Sequence, residues 1–404
     1  MKDCILVLPA TKSQIPLIQE LKALNYDILC ISPDENSPAF KYSNYHVIGD
    51  ILDKDFCLET AKKYKVVAVM SDECDIAVPT VAYISEKLNL LSIGSDMARL
   101  YTDKYKMREY CSKKNFPYPD YKMCRNTEEC IEFFNSLKSK KMIVKPLDSN
   151  SSRGVFTVTH TDEIEKIFKE SIIYSKINKA VICEEYIEGP EFTIDGIVVN
   201  SKHYSLAISR KKHYDYNKNI ACELFFSSYD SEVDYNLLRK QNDKYVNKTG
   251  LPFGLTHAEY KWNGKEFVLI EIGARGGGNF ISSHIVPALY DIDSYKILLN
   301  SILGKINDDI KEVPKDREKC VVLKFFDVTC NGGRVIDIEN VDLLSKNKDV
   351  LLYEFRFKKG DVIKKAENDS ARVGFYIAQK NTRQELINFI NKVDKIVKIK
   401  FDEV

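Results

Sequence analysis

Short apolar runs alternate with amphipathic stretches at the start of the chain. Residues 4–8 (CILVL) read as a buried strand. Ile15, Leu17, Ile18, Leu21 and Leu24 then share one face of a helix that Ser13 is placed to cap. Strands over 26–32 (YDILCIS) and 66–70 follow, then an acidic loop, Ser71-Asp-Glu-Cys-Asp75, and a helix over 76–89. Strands alternating with helices predict a doubly wound parallel α/β domain over 1–95. Residues 96–115 form a charged helical segment, and FPYPDY (116–121) reads as a linker. Beyond it the pattern becomes β-rich. Strands are predicted at 142–146, 155–159, 180–187, 191–199, 203–210, 220–228, 254–262 and 267–273, with helices at 161–176, 233–249 and 293–303. Few helices among antiparallel strands indicate an α+β region. After about residue 318 come strand-and-turn text and a last helix over 382–395, which predict a small β-rich domain over 311–404.

Composition narrows the function classes. A 404-residue chain with 44% hydrophobic residues suggests two or three domains. The 60 basic and 59 acidic side chains nearly cancel, which argues against nucleic-acid or membrane-surface partners. No run approaches a membrane span, and the N-terminus lacks a signal-peptide pattern. The 11 cysteines are scattered without a CxxC pair, which fits a reduced, cytoplasmic setting. No GxGxxG follows the first strand, and no GKS or GKT occurs.

Four stretches carry candidate chemistry. In Met142-Ile-Val-Lys-Pro-Leu147, Lys145 interrupts an apolar strand, either snorkelling to water or facing an anion. The loop that follows offers Ser149, Ser151, Ser152 and Gly154, whose hydroxyls and N–H groups can wrap a phosphate. In the second stretch, Glu184, Glu185, Tyr186 and Ile187 lead to a Gly189-Pro190 turn and Glu191. This connector can give a purine an apolar slot and backbone contacts, with Glu191 accepting from a ribose; a plain acidic hairpin is the alternative.

The third and fourth stretches are linked. Glu259 lies in GLTHAEYKW (254–262) and Glu271 in VLIEI (268–272), joined through Asn263-Gly264. A two-residue loop would send Glu271 to the opposite face from Glu259. A three-residue loop or one bulge pairs Glu259 with Leu269 and makes Glu271 its same-face diagonal neighbour, about 7–8 Å away. We take the latter arrangement, because a carboxylate inside VLIEI requires a positive partner, and two glutamates can clamp Mg²⁺. Arg275 then faces an anionic substrate group, and Gly276, Gly277 and Gly278 allow close approach and expose N–H groups to an oxyanion. His257 and His284 are candidates for a base or for structural histidines. Arg210, in Ser209-Arg-Lys-Lys-His213, either helps hold substrate or sits in a solvated basic turn.

Taken in order, these pieces resemble the ATP-grasp superfamily over nearly the whole chain, in particular its carboxylate–amine ligases of the carbamoyl-phosphate synthetase and L-amino-acid ligase types. Ala371-Arg-Val-Gly-Phe-Tyr-Ile-Ala378 also resembles that branch. The resemblance implies an ATP-grasp domain over 96–310, with nucleotide-binding subdomains over about 120–190 and 191–310. It implies ATP and Mg²⁺, with Mn²⁺ as an alternative, and small carboxylate and amine substrates joined through an acyl phosphate. Thr102-Asp-Lys-Tyr-Lys-Met-Arg108 matches the segment whose lysine, here Lys104, contacts nucleotide phosphates. Lys145 matches the strand lysine, Glu184–Ile187 the adenine hinge, Glu191 the ribose ligand, Glu259 and Glu271 the metal glutamates, and Arg275 the arginine on the acyl phosphate. Homodimers are common in the family. Many members have Asn two residues after the second glutamate; here that position is Gly273. A carboxylate kinase, a carboxylase-type enzyme and a non-catalytic ATP-binding regulator are the competing functions.

Overall fold

The computed structural model describes residues 2–147, 149, 152–175, 179–305, 310, 318–328 and 332–402. The first strands, Cys4–Val7, Asp27–Ser32, Tyr45–Ile48 and Val66–Met70, pair in parallel, with Cys4–Val7 between the second and the last. Cys4–Val7 is buried throughout, as an apolar run between two helical layers must be. Ser13 does not cap the first helix. A short 3₁₀ turn, Lys12–Gln14, precedes helix Ile15–Ala23, and Ser13 pairs instead with the Thr11 hydroxyl at 3.0 Å. Gln14 is wholly buried; its amide donates to the Asp72 carbonyl (2.7 Å) and accepts from the Asp72 N–H (3.2 Å). The acidic loop is thus pinned by its backbone, which leaves its carboxylates free for other work.

The charged segment resolves into helices Ser95–Leu100 and Lys104–Lys114, the second capped by the Asp103 carboxylate on the Tyr105 and Lys106 N–H groups. Its buried face carries Lys104 and Arg108, one turn apart. The expected linker passes at once into strand Tyr121–Cys124 and helix Thr127–Ser136. That strand joins Val181–Glu185, Met142–Pro146 and Phe156–Val158 in an antiparallel sheet covered by helices Thr127–Ser136 and Ile164–Ile172. Beneath it the sulfurs of Cys124, Cys130 and Cys183 lie within 4.8 Å of one another, fully buried. A divalent ion on three thiolates would leave net negative charge in an apolar core, so these cysteines are read as small hydrophobes.

A second antiparallel sheet has eight strands, in the spatial order Phe267–Gly273, Gly254–Trp262, Glu191–Val199, Lys202–Tyr214, Asn217–Phe226, Cys320–Phe325, Gly374–Lys380 and Val350–Phe355. The last three come from the region expected to form a separate domain. They extend the central sheet instead, because Phe226 and Leu224 offer Val321 and Leu323 an apolar edge partner. Helix Arg383–Ile396, opened by a Thr382/Glu385 capping box, covers Val322, Tyr376 and Ala378. Among the described residues of this region, only the three-stranded sheet of Val362–Ile363, Gly333–Glu339 and Lys398–Phe401 stands apart. No helix among the described residues is long and apolar enough to cross a membrane.

Candidate active site

One cavity of about 310 Å³ lies between the two antiparallel sheets, with the acidic loop of the N-terminal domain at one end. Its floor is the hairpin of Gly254–Trp262 and Phe267–Gly273. The Asn263 side chain accepts from the N–H groups of Lys265 and Glu266, both at 2.9 Å, which makes the connection four residues long. Tyr260 pairs with Leu269, yet Glu259 pairs with Glu271, so Ile270 is an extra, bulged residue. The two glutamates therefore face each other directly rather than diagonally. The bulge is held from outside: Arg108 Nη2 donates to the Ile270 carbonyl at 2.5 Å.

Each glutamate is met by a lysine. Lys104 Nζ lies 2.9 Å from Glu271, and Lys211 Nζ lies 2.7 Å from Glu259 and 2.6 Å from Glu191. Burial works against the Lys104 charge, but Glu271 outweighs it and raises its pKa. Burial likewise opposes the charge on Glu191, and Lys211 with His213 overcomes it, holding that carboxyl at about 2. Glu259 is held well below the usual carboxylate range, Lys211 and His257 outweighing burial. Two opposed carboxylates at a cavity floor suit Mg²⁺, a cation that takes oxygen ligands, phosphate and water. An Asn at position 273, usual in the family this chain resembles, would crowd the Asp75–Arg275 ion pair. A Cβ there would lie 2.8 Å from Asp75 Oδ1, because the Asp75–Arg275 ion pair fills that place.

The phosphate-facing lysines share a buried support. Lys104 Nζ also donates to the Ser149 carbonyl (3.0 Å). Lys145 Nζ lies 2.7 Å from Glu184 Oε2, and Arg108 Nε lies 2.8 Å from Glu184 Oε1. Glu184 is only 2% exposed and Arg108 is fully buried. Burial pushes the Glu184 pKa up, but Arg108 and then Lys145 outweigh it and lower it. Burial dominates at Lys145, whose pKa is lowered. Glu184 thus holds two cations, whereas Glu185, Tyr186 and Ile187 line the cavity beyond it. The Ile187 carbonyl accepts from Lys261 at 3.1 Å, and Tyr186 is flanked by Lys141 and Lys261. Ser152 reaches across to the C-terminal region, donating to Asp369 Oδ2 at 2.7 Å. Gly154 has φ of 73° and lies under the Tyr174 ring, so it has no room for a side chain. Ser151 lies outside the described residues.

At the other end, Arg275 is paired in bidentate fashion with Asp75 (2.8 and 2.7 Å) and donates to the Gly276 carbonyl at 2.9 Å. The three glycines differ. The Gly276 N–H donates to Asp72 Oδ1 and the Gly277 N–H to Asp195 Oδ1, both at 2.9 Å, so these two are not offered to an oxyanion. Only Gly278 is open, with nothing within 4 Å of a Cβ placed there. Asp72 is wholly buried and also accepts from the Tyr295 hydroxyl at 2.8 Å, while Glu73 accepts from the Phe280 N–H at 2.7 Å. Burial raises both of these carboxyls.

His257 lines the cavity, its Nδ1 3.0 Å from Asp195 and its Nε2 3.7 Å from Glu259. Burial pulls its pKa down, but Asp195 outweighs that and raises it to about 9. A raised pKa favours the charged, donating ring, which departs from the role of a base. His284 and Arg210 are not among the cavity-lining residues. His284 pairs with the Ser283 hydroxyl at 2.8 Å, and Arg210 with Asp230 (3.2 Å) and Glu232 (2.8 Å). Strand alternation explains the second case: Lys211 and His213 point into the cavity, so Arg210 points away. That alternation was the available signal for Lys211. Arg108 and Asp195 carried no local signal, because their partners Glu184 and His257 lie far along the chain.

Comparison with known proteins agrees with this architecture. The phosphoribosylglycinamide synthetase ATP-grasp (A) domain model matches residues 102–219, and L-amino acid ligase C-terminal domain 2 matches residues 326–402. Dapdiamide A synthase from Enterobacter agglomerans is 23% identical over 291 residues, covering 69% of this chain and 68% of its own. The L-amino acid ligase structure from Bacillus licheniformis superposes with a TM-score of 0.81 at 18% identity, covering 100% of this chain and 99% of its own. Phosphoribosylglycinamide synthetase from Anaerococcus prevotii does so at 0.74 and 20% identity, covering 99% and 100%. Two regions of the chain thus match an ATP-grasp domain and an L-amino acid ligase domain, and its fold is the one shared by the L-amino acid ligase and phosphoribosylglycinamide synthetase structures.

Proposed function

We propose that the protein is an ATP-dependent, ADP-forming carboxylate–amine ligase that makes an amide bond through an acyl phosphate. The observation that carries this reading is one cavity that brings together Lys104, Lys145, the opposed Glu259 and Glu271 and, at its far end, Arg275 and the open Gly278. The similarity to dapdiamide A synthase and to the L-amino acid ligase structure supports the same reading.

The chain's groups divide the work by position. Lys104 and Lys145 neutralise phosphate charge as the acid's carboxylate oxygen attacks the γ-phosphorus and the bond to ADP breaks; such transfers depend mostly on positioning and electrostatics. Glu259 and Glu271 are the residues that would hold Mg²⁺, which supplies further charge neutralisation when bound. Arg275 holds the acyl phosphate as the amine nitrogen attacks the carbonyl carbon, phosphate leaves and the nitrogen gives up its proton.

The test is ADP and phosphate release from Mg-ATP across amino acids and sugar acids, each with and without amines. Release that needs acid and amine together is expected. Release with acid alone would replace the ligase by a kinase, and silence with ATP bound would leave a non-catalytic nucleotide binder.

Two substitutions separate the ends of the cavity. Arg275→Ala, made together with Asp75→Asn to avoid a lone buried charge, should slow acid-dependent turnover about 10²- to 10³-fold and spare the KM for ATP. A loss confined to ATP affinity would move Arg275 to the nucleotide. Gly278→Ala adds a methyl into open space, so thermal stability should hold while the KM for the acid rises about 10-fold. An unchanged acid KM would remove position 278 from the substrate surface.

A further inference from the structure

Asp195 and His257 face each other across neighbouring strands, at directly paired positions of Glu191–Val199 and Gly254–Trp262. The Asp195 Oδ1 atom receives two donors, His257 Nδ1 at 3.0 Å and the Gly277 N–H at 2.9 Å. An oxygen already accepting from an N–H acts as acceptor to the ring, so Nδ1 carries a hydrogen toward it and Nε2 is the end presented to the cavity. The contact is close enough to dictate the sequence of the loop. A Cβ at Gly277 would lie 2.6 Å from both Asp195 Oδ1 and His257 Nδ1. The second glycine of the triplet is therefore bare because this pair lies against it.

Asp195 is 3% exposed, and its Oδ2 is buried without a hydrogen-bond partner among the described residues. A half-satisfied buried carboxylate costs stability that a neutral residue would not. The neighbouring pair shows what a purely structural arrangement looks like. His203 is bonded at both ring nitrogens, to Asp243 (2.7 Å) and Thr256 (2.8 Å), and does not line the cavity. His257 instead lines the cavity, its other ring nitrogen 3.7 Å from Glu259.

We propose that Asp195 is the positioning residue of the substrate end of this site: by taking His257 and Gly277 on one oxygen, it sets the imidazole Nε2 and the glycine loop as a unit around the reacting carboxyl. This rests on the ligase reading above. Asp195 does not touch substrate; it acts through His257.

The test combines a spectroscopic and a kinetic readout. In ¹⁵N-imidazole spectra of a chain with six histidines, His257 is assigned by its disappearance in His257→Gln. A protected Nδ1 proton is expected in the wild type and is expected to be lost in Asp195→Asn. In the acid- and amine-dependent assay, Asp195→Asn should lower kcat about 10²-fold with the ATP KM unchanged. The variant His257→Asn keeps a donor toward Asp195 but lacks the distal nitrogen; it should match that loss, and the double variant should be no slower than either single one. Asp243→Asn, an equivalent change at the His203 pair, should leave kcat alone.

Wild-type kcat in a folded Asp195→Asn protein would overturn the proposal. If that variant does not fold, full activity in His257→Asn would overturn it. If the wild type shows no acid- and amine-dependent release at all, the ligase reading fails by itself. The pairing is then judged on the spectrum, where an unchanged Nδ1 proton in Asp195→Asn would sink it.

Discussion

Glu271→Gln should lower ADP release by about 10³-fold or more while the protein remains folded. The substitution keeps the size of the side chain and removes only its charge. Glu271 stands directly opposite Glu259, and the pair is the oxygen-rich part of the cavity floor. The fold should survive because Glu271 is 35% exposed at its side chain and its partner Lys104 keeps the Ser149 carbonyl. Two causes of the lost rate are separable. If Glu271 holds Mg²⁺, raising Mg²⁺ recovers part of the activity of Glu271→Gln. If its role is only to place Lys104, Mg²⁺ does nothing and Lys104→Met reproduces the defect. Wild-type rates in Glu271→Gln would remove this residue from the reaction.

The Glu259–Glu271 hairpin shows how far local pattern reaches. Strands 191–199, 254–262 and 267–273 were legible to their last residues, because Gly189-Pro190, Gly254 and Asn263-Gly264 punctuate them and alternation fills the rest. Parity showed that something odd must happen between Glu259 and Glu271. It could not choose a bulge at Ile270, since the group that stabilises the bulge is Arg108, 162 residues away. The same limit hid the partners of Glu184 and Arg275. Glu184 meets Arg108, 76 positions away, and Arg275 meets Asp75, 200 positions away. Ion pairs of that reach leave no periodic trace.

Sheet membership was illegible for a related reason. Cys320–Phe325 reads as a strand from its residues alone, but an apolar strand does not encode its neighbour. Two weakly patterned elements escaped: Tyr45–Ile48 has no buried residue to set an alternation, and helix Lys54–Lys63 buries a few residues among largely polar ones. Gly273 was visible as a departure from the family the sequence resembles. Its cause, an ion pair in the place of a side chain, required the acidic loop of another domain to be set beside it.

Glu184→Gln should be the most destabilising single change at the site, by about 3–5 kcal/mol, read as a fall in the free energy of unfolding in denaturant. A surface ion pair would contribute about 0–1 kcal/mol, but here burial decides. Arg108 is 0% exposed and Lys145 4% exposed, and both lean on one carboxylate. Neutralising it strands two cations away from water. Arg108 already has one nitrogen, Nη1, without a partner among the described residues, so it cannot compensate. Adding Arg108→Met to Glu184→Gln removes one stranded charge and should restore part of the loss; a double variant as unstable as the sum of the singles would show that the two are not coupled. The same substitution should weaken ATP binding. Burial already lowers the Lys145 pKa, and without Glu184 nothing comparable holds its proton. With the carboxylate in place the trio carries one more positive than negative charge, an excess that a phosphate can neutralise. Glu184 therefore keeps Lys145 charged and buried without cancelling it, and ATP affinity measured beside stability in Glu184→Gln tests both halves of that role.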